Sequence, residues 1–583
     1  MRKMSTWEII TRLFRFGMKF KAWFITAFII SILVAIVSIY RPILSMNIVD
    51  KDIIGAKNYD FLVRDVLFLL GLVVVETLLN FGLVYLSKFI SQFVIRDIRE
   101  RLYAKLIYFK TEFFDKTAIG NLVTRTVGDV ETIAVVYTDG FLMVFGDILK
   151  VVLVLGAMFS VNVRLSFIAL GILPVMLVVT RFFQKRLRKA FSDERMWTAT
   201  QNSFVQERLG GMSLIQVFNR QDHEFKKFDS INEQLKSALL RTVFYFSLFF
   251  PVVELITSVS IGLIILYGGY EAINSQNVTP GQVIAFIQFI SMLVRPLRQI
   301  ADRFNNIQRG LVGAERVLGV MDESSDMPNE GTYKKEKLSG KIEFRDVHFS
   351  YNDKEEVLKG INFTVNPGES IAIVGATGAG KSTIITLITR FYDINSGGIL
   401  IDDVEVRDYD LYDLRSHIGV VLQDVFLFHG SIYENLTFGE NIPLEKVREA
   451  AKEIDVDDFI QKLPGGYNYV VGERGSSVSL GQRQLLSFLR VYLTNPNILI
   501  LDEATSSIDQ ESEKLIQRAT DKMTKDRTSI IIAHRLSTIV NADKIMVMDN
   551  GKIVEVGAHD ELLSKNGYYA NLYKAQLQKE TIE

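Results

Sequence analysis

The chain has 583 residues, of which 48% are apolar, and a mean hydropathy of +0.20, so we expect at least two domains, one of them partly in lipid. It has no cysteine, which excludes disulfides, thiolate metal sites and cysteine-protease chemistry, and its six scattered histidines argue against a structural metal site. The net charge of −1 combines a basic front, with 37 Lys and Arg against 25 Asp and Glu in residues 1–321, and an acidic remainder with 29 against 42.

The first predicted element is an amphipathic helix from Trp7 to Phe20. Arg12, Arg15 and Lys19 interrupt its apolar residues at helical spacing, whereas a signal peptide has an uninterrupted apolar centre. The pattern favours a helix lying on the inner membrane surface over an ordinary soluble helix, because a long apolar run follows it directly.

Six apolar stretches before residue 300 approach the roughly 20 residues that a helix needs to cross a bilayer. They are Ala22 to Tyr40, Val66 to Leu86, Phe141 to Phe159, Leu165 to Phe183, Val243 to Tyr270 and Val278 to Val294. Lys and Arg are concentrated between spans two and three and between spans four and five, whereas the connection between spans three and four has only Arg164 and residues 271–277 have none. The positive-inside rule therefore predicts cytoplasmic termini, and helical spacing predicts that the two basic segments extend the helices below the bilayer. Because the basic excess flanks apolar runs, it also argues against a nucleic-acid partner.

Four charged residues fall inside the predicted spans, where each costs about 2.5–3.5 kcal/mol at the centre. Asp147 and Lys150 are three residues apart, which predicts a mutual ion pair. Glu76 and Glu254 have no such neighbour and are predicted to line a cavity that attracts cationic ligands. Glu254 could instead lie in a helix end that reaches water.

The composition changes at residues 322–340, a polar and turn-rich stretch that we predict to be a linker. Beyond it, short apolar runs alternate with helical patterns, which predicts parallel strands and helices. The predicted fold class is a multi-domain membrane protein, with an all-α transmembrane domain of six helices at 1–321 and an α/β P-loop ATPase domain at 341–583.

A phosphate-binding loop follows the predicted strand Ser370 to Val374 and precedes an apolar helix. It consists of Gly375, Ala376, Thr377, Gly378, Ala379, Gly380, Lys381 and Ser382. Its glycines let backbone N–H groups close around phosphate, Lys381 neutralises phosphate charge, and the Ser382 hydroxyl reaches Mg²⁺. About 120 residues later, the run Ile498 to Leu501 ends in Asp502 and Glu503. Such a strand end places Asp502 beside the metal and Glu503 where it can polarise the attacking water.

These motifs, placed behind six spans, resemble the ABC exporter half-transporters over nearly the whole chain. The resemblance implies ATP and Mg²⁺ as cofactors and a second half-transporter as partner. It also implies that Tyr351 stacks on adenine, that Thr383 contributes to nucleotide binding, that Gln423 contacts Mg²⁺ and the attacking water, and that the switch residue His534 contacts the γ-phosphate. Looser matches are Glu473 near the membrane domain, Ser507 to Asp509 at the dimer interface, and coupling-helix segments around Phe113 to Asp115 and Gly211 to Phe218.

The signature motif departs from the family pattern, since a leucine replaces a glycine in Ser479, Leu480, Gly481 and Gln482. Ser479 and Gly481 resemble the γ-phosphate contacts of the family, at the start of a helix suited to anions. Leu480 is either a tolerated variant or the mark of a weakened composite ATP site. Because a homodimer would place that site opposite a complete catalytic set twice, we predict a heterodimer rather than a homodimer.

The predicted function is ATP-driven export of amphipathic small molecules or drugs across the cell membrane of a bacterium, in contact with membrane lipid. A lipid flippase or peptide exporter of the same architecture is an alternative, although the absence of a peptidase domain argues against a bacteriocin-processing exporter. Two alternatives come from other classes. An ATP-gated channel or regulator agrees with the motifs, whereas a soluble ABC ATPase acting on nucleic acid conflicts with the six spans.

Overall fold

The computed structural model describes residues 4–274, 277–327, 329–352, 355–502, 510–532 and 536–580. Its contacts divide the chain into two compact units, residues 1–107 with 118–324 and residues 108–117 with 325–583. The ten residues 108–117 thus belong to the unit formed by the C-terminal half, which the sequence did not predict. The boundaries predicted from composition, at 321 and 340, stay predictions.

The first unit is helical throughout its described elements. Its helices are α1 (Thr6–Gly17), α2 (Lys21–Asn47), α3 (Tyr59–Ile107), then, after α4 (Thr111–Lys116) of the second unit, α5 (Ile119–Val123), α6 (Val130–Val135), α7 (Phe145–Val161), α8 (Val163–Leu170), α9 (Ile172–Gly210), α10 (Met212–Val217), α11 (Gln221–Asn274) and α12 (Pro280–Met321). Turns of π-helix occupy Ile48–Ala56, Thr124–Asp129 and Val136–Val144, and a turn of 3₁₀-helix occupies Met18–Phe20.

Five helical stretches in the described residues are long and apolar enough to cross a membrane. They are Thr6–Gly55, Tyr59–Ile107, Ile119–Val161, Val163–Gly210 and Gln221–Asn274, and a shorter apolar helix spans Pro280–Val294. The six predicted spans fall in these stretches. The basic segments after spans two and four are mostly helical, as helical spacing predicted, and lie in α3, α9 and α11. Short helices, α4 and α5 in the first segment and α10 in the second, interrupt them.

The predicted fourth span differs from expectation, because it divides into α8 and α9 at Gly171. Pro174 has no N–H to donate to the carbonyl of Leu170, so the regular helical ladder is interrupted there. The helix end is closed by the Gly171 N–H, which donates to the carbonyl of Phe167 at 2.9 Å. Pro174 signals this break in the sequence, but the apolar residues on both sides of it favoured a single span.

The amphipathic N-terminal helix is confirmed as α1. Ile9 and Leu13 are buried, and the buried Tyr137 hydroxyl donates to the Leu13 carbonyl at 2.6 Å. Trp7 and Phe14 lie on the open side, with 76% and 55% of their surface exposed. The helix therefore has one apolar side docked on the unit and further large apolar side chains available to lipid.

The structure corrects the prediction that Glu76 lacks a partner. Its carboxylate accepts a hydrogen bond from the Ser38 hydroxyl at 2.7 Å and lies 3.3 Å from the Arg41 guanidinium, both on α2. Asp147 forms an ion pair with Arg303 of α12 at 2.5 Å. The arginine and serine partners come from other helices, which spacing along one helix does not reveal, and the pair of Asp147 with Lys150 stays a prediction.

The second unit contains two main sheets. Their strands are β1 (Ile342–Phe349), β2 (Leu358–Val365), β3 (Ser370–Gly375), β4 (Ser396–Ile401), β5 (Val404–Glu405), β6 (Ile418–Val421), β9 (Ile498–Asp502), β10 (Thr528–Ile532), β11 (Lys544–Asp549) and β12 (Lys552–Gly557), while β7 (Gly430–Ser431) and β8 (Val470–Val471) form a separate two-stranded antiparallel sheet. One sheet has the order β12-β11-β3-β10-β9-β6, parallel except for β12, and the other is the antiparallel β2-β1-β4-β5. The strands β3, β9 and β10 are almost entirely buried, as expected for parallel strands covered on both faces.

The helices of this unit confirm the predicted α/β class. They are α13 (Lys381–Ile388), α14 (Leu411–Ser416), α15 (Ile432–Thr437), α16 (Leu444–Glu453), α17 (Asp457–Lys462), α18 (Leu480–Leu493), α19 (Gln510–Thr524), α20 (Leu536–Val540), α21 (His559–Ser564) and α22 (Tyr568–Glu580), with 3₁₀ turns at Gly466–Asn468 and Glu473–Gly475. The carboxyl ends of β3, β9 and β10 meet at one sheet edge, which is where ligands bind in such folds.

The end of the predicted linker is tied to the antiparallel sheet by Asp402. Its carboxylate accepts hydrogen bonds from the backbone N–H groups of Ser339, Gly340 and Lys341 at 2.7–3.0 Å and from the Lys335 ammonium at 2.8 Å. Burial works against the charged carboxylate, but these hydrogen bonds outweigh it and lower the pKa of Asp402 to about 2. Asp402 therefore holds the chain at the entry to β1.

Candidate nucleotide site

The predicted phosphate loop joins the end of β3 to the start of α13. Gly378 and Gly380 have φ values of +85° and +98°, a conformation that favours glycine, and Gly380 is the residue that precedes the helix. A Cβ on Gly380 would lie 2.7 Å from Leu358, so both backbone angle and space require glycine there. The loop thereby leads its N–H groups into the first turn of α13, the arrangement that binds phosphate.

Lys381 is 7% exposed and its ammonium bends back over the loop. It donates to the carbonyls of Gly375 at 2.7 Å and Ala376 at 3.0 Å. Burial lowers the pKa of Lys381, and the negative charge of Asp502 partly opposes that effect. The side chain is thus held in place by weak backbone acceptors, which a phosphate oxygen can replace at a gain in charge interaction.

Ser382 and Asp502 meet although they are 120 residues apart in sequence, because β3 and β9 both flank β10 in the sheet. The Ser382 hydroxyl donates to the Asp502 carboxylate at 3.3 Å. One hydroxyl and one carboxylate beside a phosphate loop fit Mg²⁺, which takes a few protein oxygens and completes its shell with phosphate and water. In the described residues no group of three or more His, Cys, Asp or Glu side chains could hold a metal ion.

Tyr351 lies beyond β1 next to the start of α13, and its hydroxyl donates to the Thr383 hydroxyl at 3.2 Å. Its ring packs edge to face against Phe349 and Tyr392, with centroid distances of 4.8 and 5.0 Å. The tyrosine is 38% exposed, so the aromatic cluster positions it while part of the ring remains available for stacking.

Of the predicted catalytic residues Gln423, Glu503 and His534, the structure describes Gln423. Gln423 lies exposed two residues after the end of β6, at the same sheet edge. Glu503 and His534 lie outside the described residues, as do Ser507 to Asp509, although Glu503 directly follows the last residue of β9 and His534 follows β10 by two positions. Their roles therefore stay predictions.

The signature residues form the start of α18. Ser479 caps the helix by accepting a hydrogen bond from the Gln482 N–H at 3.2 Å, and the Gln482 side chain accepts from the Ser479 N–H at 2.9 Å. Gly481 is buried, and Leu480 between them is partly exposed. Within the described part of the chain, no hydrogen bond joins these residues to the phosphate loop.

Residues 108–117 supply contacts that sequence reasoning missed. The Lys110 N–H donates to the Ser325 carbonyl at 2.8 Å, and the Tyr392 hydroxyl donates to the Asp115 carboxylate at 2.7 Å. Burial, followed by the hydrogen bond to Asp115, raises the pKa of Tyr392. The signal available in the sequence was an aromatic-aromatic-acid triplet, Phe391 to Asp393, directly behind the helix of the phosphate loop.

Comparison with known proteins identifies both units. Residues 24–297 match the ABC transporter transmembrane region, and residues 358–506 match the ABC transporter family. The chain belongs to the ABC transporter family. A Streptococcus pneumoniae protein provisionally named ABC transporter ATP-binding protein exp8 is 36% identical over 575 residues, which is 98% of each chain.

Two further relatives of this ABC transporter carry provisional names as multidrug export ATP-binding/permease proteins. YgaD of Bacillus subtilis is 35% identical over 97% of this chain and 99% of its own length. A Staphylococcus aureus protein is 38% identical over 86% of this chain and 88% of its own length. The predicted resemblance is confirmed: the chain is an exporter half-transporter, a bacterial multi-pass membrane protein that couples ATP hydrolysis to transport.

Proposed function

We propose that this transporter exports amphipathic small molecules, including drugs, across the cell membrane, with its ATPase domain in the cytoplasm. The observation that carries the proposal is the contact of Ser382 with Asp502 beside the phosphate loop, in a chain whose described residues also include five long apolar helical stretches. The names of the relatives YgaD and its Staphylococcus aureus counterpart support the substrate class.

We infer the following roles for the residues around the phosphate loop. The N–H groups of residues 375–382 bind phosphate oxygens, and Lys381 exchanges its carbonyl partners for them. Tyr351 stacks on the adenine, which is worth about 1–3 kcal/mol for a base on an aromatic ring. Glu503 orients and deprotonates the attacking water, and His534 contacts the terminal phosphate.

Ser382, Asp502 and Gln423 would hold Mg²⁺ at this edge of the sheet. When bound, the ion supplies positive charge that stabilises the phosphate oxygens during transfer. Asp502 is 8% exposed, so its charge already acts in a site with little water. That burial strengthens its interaction with a cation.

We also propose that both termini are cytoplasmic. The basic segments occupy the C-terminal parts of α3 and α9 and the N-terminal part of α11. The turn between α7 and α8, in contrast, has Arg164 as its nearest cation, and residues 271–277 have none. This asymmetry supports the orientation by the positive-inside rule.

The signature helix supports a partnership with a different chain. In the ABC exporters that this chain resembles, each ATP site combines the phosphate loop of one subunit with the signature helix of the other. Leu480 adds a branched apolar side chain between Ser479 and Gly481, where a second glycine would leave the phosphate free access. A heterodimer confines this defect to one of two sites.

The test is ATP-dependent uptake of an amphipathic dye into inside-out membrane vesicles that contain the chain together with the product of its neighbouring transporter gene. Lys381→Ala should abolish uptake and weaken ATP binding, while Lys359→Ala, at an exposed lysine of the same domain, should leave both unchanged. Equal uptake by wild type and Lys381→Ala vesicles would contradict the proposal.

A further inference from the structure

The segment 16–23, which joins α1 to α2, packs along the side of α3. Four contacts follow one another along this line, namely Phe16 with Arg101, Lys19 with Asp97, Phe20 with Phe93 and Trp23 with Phe89, and we call these eight residues the α3 seam. The two aromatic pairs have centroid distances of 5.9 and 5.4 Å. The seam therefore has an aromatic end, beside the apolar run of α2, and a charged end.

The seam and its edges carry more cations than acids. The Asp97 carboxylate accepts from the Lys19 ammonium at 2.5 Å and from the Arg101 guanidinium at 2.9 Å, so that one acid serves two cations. Lys21 and Lys88 flank the aromatic end and are exposed, and neither side chain has an ion pair or hydrogen bond within the described residues. Four cations thus share one carboxylate.

Two further acids near this part of α3 do not offset these cations. Glu100 pairs with Arg96 at 2.7 Å, and Glu131 pairs with Arg99 at 3.3 Å, so each acid already has an arginine of its own. Arg15 of α1 adds another exposed cation. A cluster of Lys and Arg next to a membrane helix attracts anionic lipid headgroups.

A row of aromatic rings continues from the seam along α3. Phe81, Tyr85, Phe89 and Phe93 recur every four residues and so lie on one face of the helix, with successive centroid distances of 6.2, 6.2 and 4.6 Å. Phe81 and Tyr85 are 69% and 62% exposed. The row rises about 18 Å along the helix, close to the roughly 15 Å of hydrocarbon in one leaflet. It can therefore lie along one acyl chain.

We propose that the α3 seam binds one anionic phospholipid, with the phosphate at Lys21 and Lys88 and an acyl chain along the aromatic row. Phosphatidylglycerol brings a net negative charge to this surplus of cations, whereas phosphatidylcholine brings a cation of its own. In the proposed orientation the lipid belongs to the inner leaflet. The proposal goes beyond the export function and does not depend on the exported substrate.

The experiment measures how brominated lipids quench the fluorescence of Trp23. The chain has three tryptophans, so Trp7→Phe and Trp197→Phe leave Trp23 as its only one. The full-length assembly in phosphatidylcholine nanodiscs receives rising fractions of dibromo-phosphatidylglycerol or, as reference, dibromo-phosphatidylcholine, without ATP or substrate. The same assembly with Trp23→Phe gives the background from a partner subunit. We expect phosphatidylglycerol to quench Trp23 at an about fivefold or more lower mole fraction than phosphatidylcholine.

Lys21→Gln combined with Lys88→Gln should remove most of this preference, since one basic residue at an anionic surface contributes about fivefold in affinity. Lys51→Gln combined with Lys57→Gln is the matched control. It removes the same charge from exposed lysines at the other end of the helical stretch that begins with α2, and it should leave the preference unchanged.

Equal quenching of Trp23 by the two lipids would overturn the proposal, and so would equal effects of the two double variants. A Trp23 that neither lipid quenches would overturn it as well, because a second subunit would then cover the aromatic row. Since quenching is measured without turnover, a failure of export leaves this result unaffected, and the two proposals can fail separately.

Discussion

The phosphate loop and the cluster formed by Ser38, Arg41, Glu76 and Lys150 both contain cations, but they hold them by different means. Lys381 is held by the carbonyls of Gly375 and Ala376, six and five residues away along the same loop. Arg41 and Lys150 are held by side chains that lie 35 and 112 residues away on other helices. A site made of consecutive residues can therefore be recognised in a sequence, whereas a site formed by the packing of distant helices cannot.

The largest effect is expected at the local site. Glu503→Gln should lower ATP turnover about 10²–10⁴-fold while ATP binding persists, because a positioned base is lost without a change in the phosphate contacts. Steady-state ATPase and nucleotide affinity measure the two quantities. Glu440→Gln, at an exposed position of the same domain, is the control. Near-normal turnover in Glu503→Gln would remove the catalytic assignment.

In the cluster formed by helix packing, we expect a single substitution to change the stability of the protein more than its ATP turnover. Glu76→Gln leaves Arg41 without the carboxylate that it contacts, and the expected loss of stability lies between the about 1 kcal/mol of an exposed pair and the about 3–5 kcal/mol of a buried one. Adding Arg41→Gln should restore part of it. Thermal unfolding of the solubilised protein measures both variants. A double variant less stable than Glu76→Gln would mean that the two residues do not act as a pair.

Asp402 tests whether partners that are distant in sequence also contribute to the stability of the second unit. Asp402→Asn should destabilise the ATPase domain by about 1–3 kcal/mol, because the side chain loses its negative charge and one of the two oxygens that accept hydrogen bonds from Lys335 and residues 339–341. Since the folded pKa of Asp402 is lowered to about 2, its contribution is present above its unfolded pKa of about 3.9 and is lost as the pH falls through about 2. Unfolding between pH 5 and about 2 should therefore depend less on pH in Asp402→Asn. Parallel curves would contradict this assignment.

Tyr392 connects the nucleotide site with α4, because its ring packs on Tyr351 and its hydroxyl donates a hydrogen bond to Asp115. Tyr392→Phe keeps the ring contact and removes the hydrogen bond to a charged group, worth about 1.5–3 kcal/mol. We expect basal ATPase to persist and its stimulation by substrate to fall severalfold. Tyr412→Phe, at an exposed tyrosine, is the control. Full stimulation in Tyr392→Phe would show that this bond is not needed for coupling.

The smallest effect is expected at the signature helix. In the chain expressed alone, Leu480→Gly should raise ATPase a few-fold by opening the phosphate side of the composite site. In the assembly with its partner, the same change should have less effect, because Leu480 then faces the weaker site. A stable homodimer of the lone chain with full substrate-stimulated ATPase, unchanged by Leu480→Gly, would refute the heterodimer.

Sequence alone determined the features whose residues are neighbours in the chain. The phosphate loop, the strand that ends in Asp502, the apolar helices and the amphipathic α1 each depend on periodicity or spacing within a short segment. Only the tertiary structure decided which distant residues meet. It paired Glu76 with Arg41, Asp147 with Arg303 and Tyr392 with Asp115, and it assigned residues 108–117 to the second unit. The physical reason is that each charged or polar side chain takes whichever partner the packing of helices and strands brings within hydrogen-bond distance, and sequence separation does not limit that choice.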